Sequence, residues 1–182
     1  MIFKTPLLEK LYFTLLESYP VLSNYKNPLY KKLKDIELPD KPPVGQYFYH
    51  KLFFYNCGTI PITWNIDKII NDNPDKFVCN YYEIQKLIKI IDLNSAETQE
   101  LISTLLPKGI VHHTSDIVIL ASFPGFPYIT IIDGNHRVLE NRNNLSLKLK
   151  CYELYDDIIL DYLEPNSRKL AEFIYYFLHL IS

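Results

Sequence analysis

Cysteine is scarce in this chain. Among 182 residues there are only three, Cys57, Cys79 and Cys151, odd in number and far apart. That spacing excludes a disulfide framework and offers no metal-ligand pattern. The expectation is buried, reduced thiols in a cytoplasmic protein. No apolar run reaches the length of a bilayer span. The opening Met1-Ile-Phe-Lys-Thr-Pro6 has neither the continuous apolar core nor the cleavage site of a signal peptide. No membrane partner is therefore expected. Net charge is also missing: a formal value of −2 gives no global drive toward nucleic acid. Internal repeats, low-complexity tracts, a Walker loop, a GxSxG elbow and an HExxH pair are all absent.

What is present points to a packed globule. Hydrophobic residues make up 48% and charged residues 22%, which separates the chain from disordered compositions. Its length suits one domain with an added subdomain and allows a proper core. Fifteen tyrosines and ten phenylalanines make aromatic packing prominent.

Thr5 and Pro6 predict a helix start, and Leu7, Leu8, Leu11, Leu15 and Leu16 share one stripe up to Pro20. A second short helix follows from Asn27 to Leu33, with Lys31, Lys32 and Lys34 on a solvated face. The proline-rich stretch from Leu38 to Gly45 reads as a linker. It divides the chain into a helical extension over 1–45 and a main domain over 46–182. The aromatic run Gln46–Tyr55 fits strand or helix. Ile60–Ile66 reads as a strand, Asp67–Ile70 as a short helix or turn and Asn73-Pro74 as a turn.

Asn80, with Glu83 three residues on, predicts a capped helix burying Ile84, Leu87, Ile88 and Ile91. Asn94 and Glu97 repeat the signature, and Pro107-Lys-Gly109 stops that second helix. Ile117–Leu120 and Tyr128–Ile132 read as two strands of a hairpin around the Phe123–Pro127 turn. Leu147, Leu149 and Cys151 alternate with Lys148 and Lys150 as a half-exposed strand. Leu170, Phe173, Ile174, Phe177, Leu178 and Ile181 form one face of a last helix.

The chemistry concentrates in Asp133-Gly134-Asn135-His136-Arg137. Ile129, Ile131 and Ile132 before it suit a buried strand, expected at the centre of the sheet. Val138-Leu-Glu-Asn-Arg142 after it favours helix over the return strand of a hairpin. Gly134 permits a sharp turn and close approach to the backbone. Arg137 brings a planar fork of donors suited to phosphate or carboxylate. Strand, glycine turn, helix start and arginine together describe an oxyanion cradle. Gly134, Asn135, His136 and Arg137 are its expected ligand-binding residues, and Asp133 and His136 its candidate catalytic groups.

This stretch resembles the core of the ParB/sulfiredoxin-like superfamily, where a strand runs into an Asp-Gly-x-His-Arg turn and then a helix. The similarity spans residues 60–155, with Lys108-Gly-Ile-Val111 leading into the paired strands. The resemblance implies an α/β (α+β) domain, a mixed sheet flanked by helices, carrying an N-terminal helical extension. It also implies a nucleotide or other phosphate-bearing small molecule as ligand, with ATP or CTP and Mg2+ as the cofactor, and phosphotransfer or nucleotide hydrolysis as the reaction. Asn135 replaces the cysteine that sulfiredoxins carry before His-Arg, so sulfinic-acid repair is not expected. The chain after Tyr155 is too short for the helix-turn-helix of a partition protein. The alternatives are a nucleic-acid-binding or nuclease-like protein, not favoured by the charge, and a non-catalytic interaction protein that keeps the fold.

Outside the turn the candidates are weaker. The free-serine kinases of the resembled superfamily use an acidic base upstream of the motif, and Asp72 and Asp75 fall near that region without aligning to it. His112-His113 would face opposite ways in a strand and make poor joint metal ligands. His50 and His179 have a structural reading, Trp64 a core one, and Tyr81-Tyr82 a packing role ahead of base stacking.

Overall fold

The computed structural model describes residues 2–38, 47–54, 58–91, 116–123 and 129–182. These fall into two compact units. The first gathers the described residues of Met1–Ile69, Phe123–Phe126 and Asp157–Ser182, the second those of Ile70–Ser122 and Pro127–Asp156. The linker that suggested a boundary after residue 45 lies outside the described residues apart from Leu38. The C-terminal helix groups with the N-terminal helices.

In the first unit, α1 (Pro6–Ser18) starts where proline fixes the backbone, with Thr5 extended at the cap. The Thr5 hydroxyl makes no capping bond. It donates to the Ile36 carbonyl at 2.9 Å and accepts from the Leu38 N–H at 3.2 Å, tying the start of α1 to the chain beyond α2 (Lys26–Leu33). A 3₁₀ turn over Pro20–Tyr25 joins the two helices. Leu8, Leu11, Tyr12, Leu22, Leu29, Leu33 and Ile36 are buried, and the Phe3 ring sits 5.4 Å from Tyr12 and 5.2 Å from Tyr30. The helix α7 (Pro165–Ile181) buries Leu170, Phe173, Ile174 and Phe177, the spacing of one helical face. Phe177 meets Tyr19 edge-on, and Lys32 lies over the Tyr176 ring at 4.7 Å.

The aromatic run resolves as strand. β1 (Tyr47–Phe54) pairs antiparallel with β2 (Gly58–Asn65), from Tyr47 opposite Asn65 to Phe54 opposite Gly58. Along β2, Ile60, Ile62 and Trp64 alternate into the core as a strand requires. Its backbone is stitched to α7. The Thr63 N–H donates to Ser167 Oγ at 2.9 Å, and the Glu164 N–H donates to the Thr63 carbonyl at 3.0 Å. α3 (Ile66–Asn71) follows β2 and ends in the second unit.

The second unit holds a four-stranded mixed sheet in the order β3-β6-β4-β5. The strands are β3 (Val78–Glu83), β4 (Ile117–Ser122), β5 (Ile129–Asp133) and β6 (Lys148–Leu154). β3 and β5 run antiparallel to their neighbours, while β4 and β6 run parallel to each other. Two short helices, α4 (Ile84–Ile88) and α5 (Asn135–Glu140), bring Ile84, Leu87 and Val138 into one cluster with Val118, Leu120, Ile131 and Cys151. The last short helix, α6 (Asp156–Asp161), leads out of β6 toward α7. The chain is thus mixed α/β, as its pattern indicated.

Three readings need correction. The strand into the glycine turn is not central: among the described residues β5 lies at the sheet's end and pairs with β4 alone. Asn80 does not cap a helix. Val78–Glu83 is strand, the helix starts at Ile84, and Glu83 holds the extended cap position. Valine, cysteine and two tyrosines favour a pleated surface, and six paired positions against β6 outweigh a two-residue capping signature. β6 alternates only at its start, since Cys151, Tyr152, Glu153 and Leu154 are all buried. The expected helix from Asn94 to Leu106 and residues 124–127 of the expected turn lie outside the described residues.

The Thr63–Ser167 bond predicts a measurable stability cost. Ser167→Ala strands a buried N–H, so unfolding free energy should fall by about 1–3 kcal/mol. Ser167→Thr, which keeps the hydroxyl, should recover part of it in urea denaturation.

Candidate functional site

β5 delivers the chain into the turn, and Gly134 makes the turn feasible. Its φ of +98° is left-handed, a region that side chains rarely enter. A Cβ there would meet Val118 Cγ2 at 3.0 Å, Val118 Cα at 3.1 Å and Arg137 Nη2 at 3.2 Å. Glycine is required both for conformation and for space. α5 begins directly at Asn135, and the Val138 N–H donates to the Gly134 carbonyl at 3.1 Å. The plain two-residue hairpin is thereby excluded.

A helix of six residues is too short to stand on propensity. It is held by burial of Arg137, Val138 and Leu139 and closed by Asn141, whose side-chain amide donates to the Arg137 carbonyl at 2.8 Å. Arg137 folds back over Gly134 and donates from Nη2 to Asp133 Oδ2 at 2.9 Å. The guanidinium side chain is 9% exposed and the Asp133 side chain 23%. The close approach that glycine permits is thus used by the chain's own arginine. Asn135 and His136 are half-buried in the first turn of α5. The turn therefore brings all five predicted residues together.

A second polar group went unrecognised in the sequence. Glu153 on β6 is 3% exposed, and its Oε1 accepts from Asn80 Nδ2 at 2.6 Å and from the Tyr82 hydroxyl at 2.7 Å. Its signal is an acidic residue in phase with Leu149 and Cys151, whose side of the strand packs into the apolar cluster. The bond to Glu153, followed by burial, raises the Tyr82 pKa and keeps the phenol a donor.

Cys151 lies between these polar groups. It is opposite Val118 in the β4–β6 pairing, and Val118 touches the Gly134 turn. Burial first, with a smaller push from the charge of Glu153, carries its thiol up to about 12 against the lowering effect of a hydrogen bond to the Tyr82 backbone and, least, of Arg137. Cys151 is therefore a neutral packing group and not a nucleophile. Cys79 departs from the expected burial and is exposed.

The remaining candidates are placed as follows. Asp72 pairs with Lys76 at 2.8 Å, and Asp75 is exposed beside it. Trp64 is core, as expected, and Tyr81 is exposed. His179 is exposed near the end of α7. His50 falls on β1, whereas Cys57 and His112-His113 lie outside the described residues. No group of three or more His, Cys, Asp or Glu side chains arranged for a metal occurs among the described residues.

The thiols give a direct check. In a Cys57→Ser background, iodoacetamide at mildly alkaline pH should alkylate Cys79 and spare Cys151 until the protein unfolds, read by peptide mass mapping. The folded pKa of Cys151 lies above the ordinary 9.0, so below that pH both folded and unfolded thiols are protonated. As pH rises from 9.0 toward about 12, the unfolded chain releases a proton that the fold retains. Stability should fall across that window, and Cys151→Ala should flatten the slope whatever its baseline.

Compared with protein-family models, with curated proteins and with solved structures, the chain matches none of them.

Proposed function

We propose that the Asp133–Arg137 turn binds the phosphate of a nucleotide or other phosphate-bearing small molecule. The observation that supports this reading is Arg137 folded back over the left-handed Gly134, its guanidinium bonded to the Asp133 carboxylate at the same turn. A phosphate offers the same planar acceptor edge as that carboxylate with more charge, and guanidinium binds both by charge-assisted hydrogen bonds. Asp133 holds the fork in place in the free protein and yields or shares that position when phosphate arrives. The likeness of the turn to those of ParB/sulfiredoxin-like domains supports the same ligand class, with ATP or CTP the first candidates.

The chemistry open to such a site is phosphotransfer or nucleotide hydrolysis. His136 supplies an imidazole, the side chain best suited to proton transfer at neutral pH, and Asp133 can orient it or accept a proton once displaced from Arg137. Magnesium fits the protein side poorly. Asp133 is already engaged by Arg137, and a lone carboxylate does not supply an octahedral oxygen set. Any magnesium would arrive on the ligand's own phosphates, and no step here depends on it.

Arg137→Ala should weaken nucleotide binding by roughly ten- to a hundred-fold, taking ~1.5–3 kcal/mol for a hydrogen bond to a charged group. Arg137→Lys should restore only part, because an ammonium lacks the fork. Gly134→Val should be as damaging, through backbone strain and the contact with Val118. Asp133→Asn should keep or tighten binding, since it removes a competing negative charge, while abolishing any turnover that uses the acid. Calorimetry with ATP, CTP, GTP and ADP, with and without magnesium, is the measurement, with circular dichroism to confirm folding. Absence of binding by the wild type, or wild-type affinity in folded Arg137→Ala, ends the proposal.

A further inference from the structure

The ion pair at the glycine turn uses only part of its carboxylate. Arg137 Nη2 donates to Asp133 Oδ2 at 2.9 Å, and among the described residues no donor reaches Oδ1. The carboxylate is also the more open partner, its side chain 23% exposed against 9% for Arg137. Its backbone has little freedom to carry it away. Asp133 closes the last pair of the β4–β5 ladder, opposite Ile119, and Gly134 beside it is locked in a left-handed turn against Val118. An oxyanion that comes to the guanidinium therefore lies beside a carboxylate oxygen that still lacks a donor.

Such a neighbour repels most anions. Two like charges about 4 Å apart near a protein surface weaken binding by about a thousandfold. The repulsion gives way to a charge-assisted hydrogen bond when the anion brings a proton of its own. A phosphate monoester does so, because its second proton leaves only near pH 6, roughly. One P–O⁻ can then face Arg137 while the P–OH donates to Asp133. Sulfate has the same tetrahedral shape but no proton at that pH. A phosphodiester has a charge for Arg137 and likewise no proton.

We infer that Asp133 is the specificity-determining residue of the turn, an inference that rests on the phosphate reading of this site and names the ligand class within it. The turn admits the monoprotonated phosphate of a terminal monoester or of inorganic phosphate, and it rejects sulfate and phosphodiesters. Discrimination of this kind comes from a built-in repulsive element and not from added contacts. His136, next to Arg137, cannot supply it, since an imidazolium favours every anion alike. The same carboxylate disfavours the internal phosphates of a nucleic acid, which are all diesters.

Calorimetry at about pH 6 and constant ionic strength tests this by comparing inorganic phosphate with sulfate and AMP with cyclic AMP. In the wild type, sulfate should bind at least about a hundredfold more weakly than phosphate, and cyclic AMP than AMP. Asp133→Asn keeps an acceptor for Arg137 and removes the charge, so both ratios should fall below about tenfold, chiefly through gain of sulfate and cyclic AMP. Asp133→Ser makes the same comparison where circular dichroism shows that asparagine disturbs the fold. A wild type that binds phosphate and sulfate alike overturns the inference and leaves the phosphate reading standing. Discrimination that persists in a folded Asp133→Asn or Asp133→Ser variant does the same, because another group then selects the ligand. A wild type that binds neither phosphate nor any nucleotide overturns both.

Discussion

The close contact between Gly134 and Val118 sets the geometry of the second unit. At 3.1 Å from the Val118 Cα, the position a Cβ would take leaves no room for a side chain. Because the backbones come this near, β5 can end, reverse through a left-handed residue and start a helix at once. That places Arg137 one turn on, within reach of Asp133. Neither the ion pair nor the packing of Val138 into the sheet cluster would exist without it. The constraint is steric, and the electrostatics follow from it.

Among the described residues of the second unit two charged side chains are buried, and they are satisfied differently. Arg137 has a carboxylate of opposite sign. Glu153 has two neutral donors from the adjacent strand. Burying a charge costs several kcal/mol unless partners offset it, and neutral donors offset less than a cation. Glu153 therefore depends on the pairing of β3 with β6 more than Arg137 depends on any strand pairing. Cys151 feels both charges, but its thiol is raised chiefly by burial. A pocket of polarity inside a small sheet of this kind narrows the substitutions that Asn80 and Tyr82 tolerate.

Local chemistry was legible in the sequence wherever one short-range effect dominated. Proline at residue 6, alternation in Ile60, Ile62 and Trp64, and the strand–glycine–helix junction at Gly134 each fix a backbone state within a few residues. The helical face of Leu170, Phe173, Ile174 and Phe177 was equally plain. What escaped is what depends on partners distant in the chain. Asn80 looked like a cap because its neighbour Glu83 completed a local signature, yet its amide is committed to Glu153, 73 positions away. The end position of β5 among the described strands follows from strand order, which no local pattern encodes. Glu153 was overlooked because an acidic residue late in a strand reads as solvent-facing until the neighbouring strand is known.

The stitch between Thr63 and Ser167 joins residues 104 apart in sequence, with all of the second unit between them. The first unit is therefore a clasp built chiefly from two segments distant in sequence, and the chain between them is the loop that the clasp closes. Closing a loop of that length carries an entropic cost that grows only slowly with its size, so insertions within it are cheap to accommodate. Timing during synthesis is affected more. The sheet strands emerge before α7 does, so they can settle first, while α1, α2 and β2 wait with apolar faces open for the segment that completes them. A nascent chain stalled between the two halves of the clasp would be the form most dependent on chaperones.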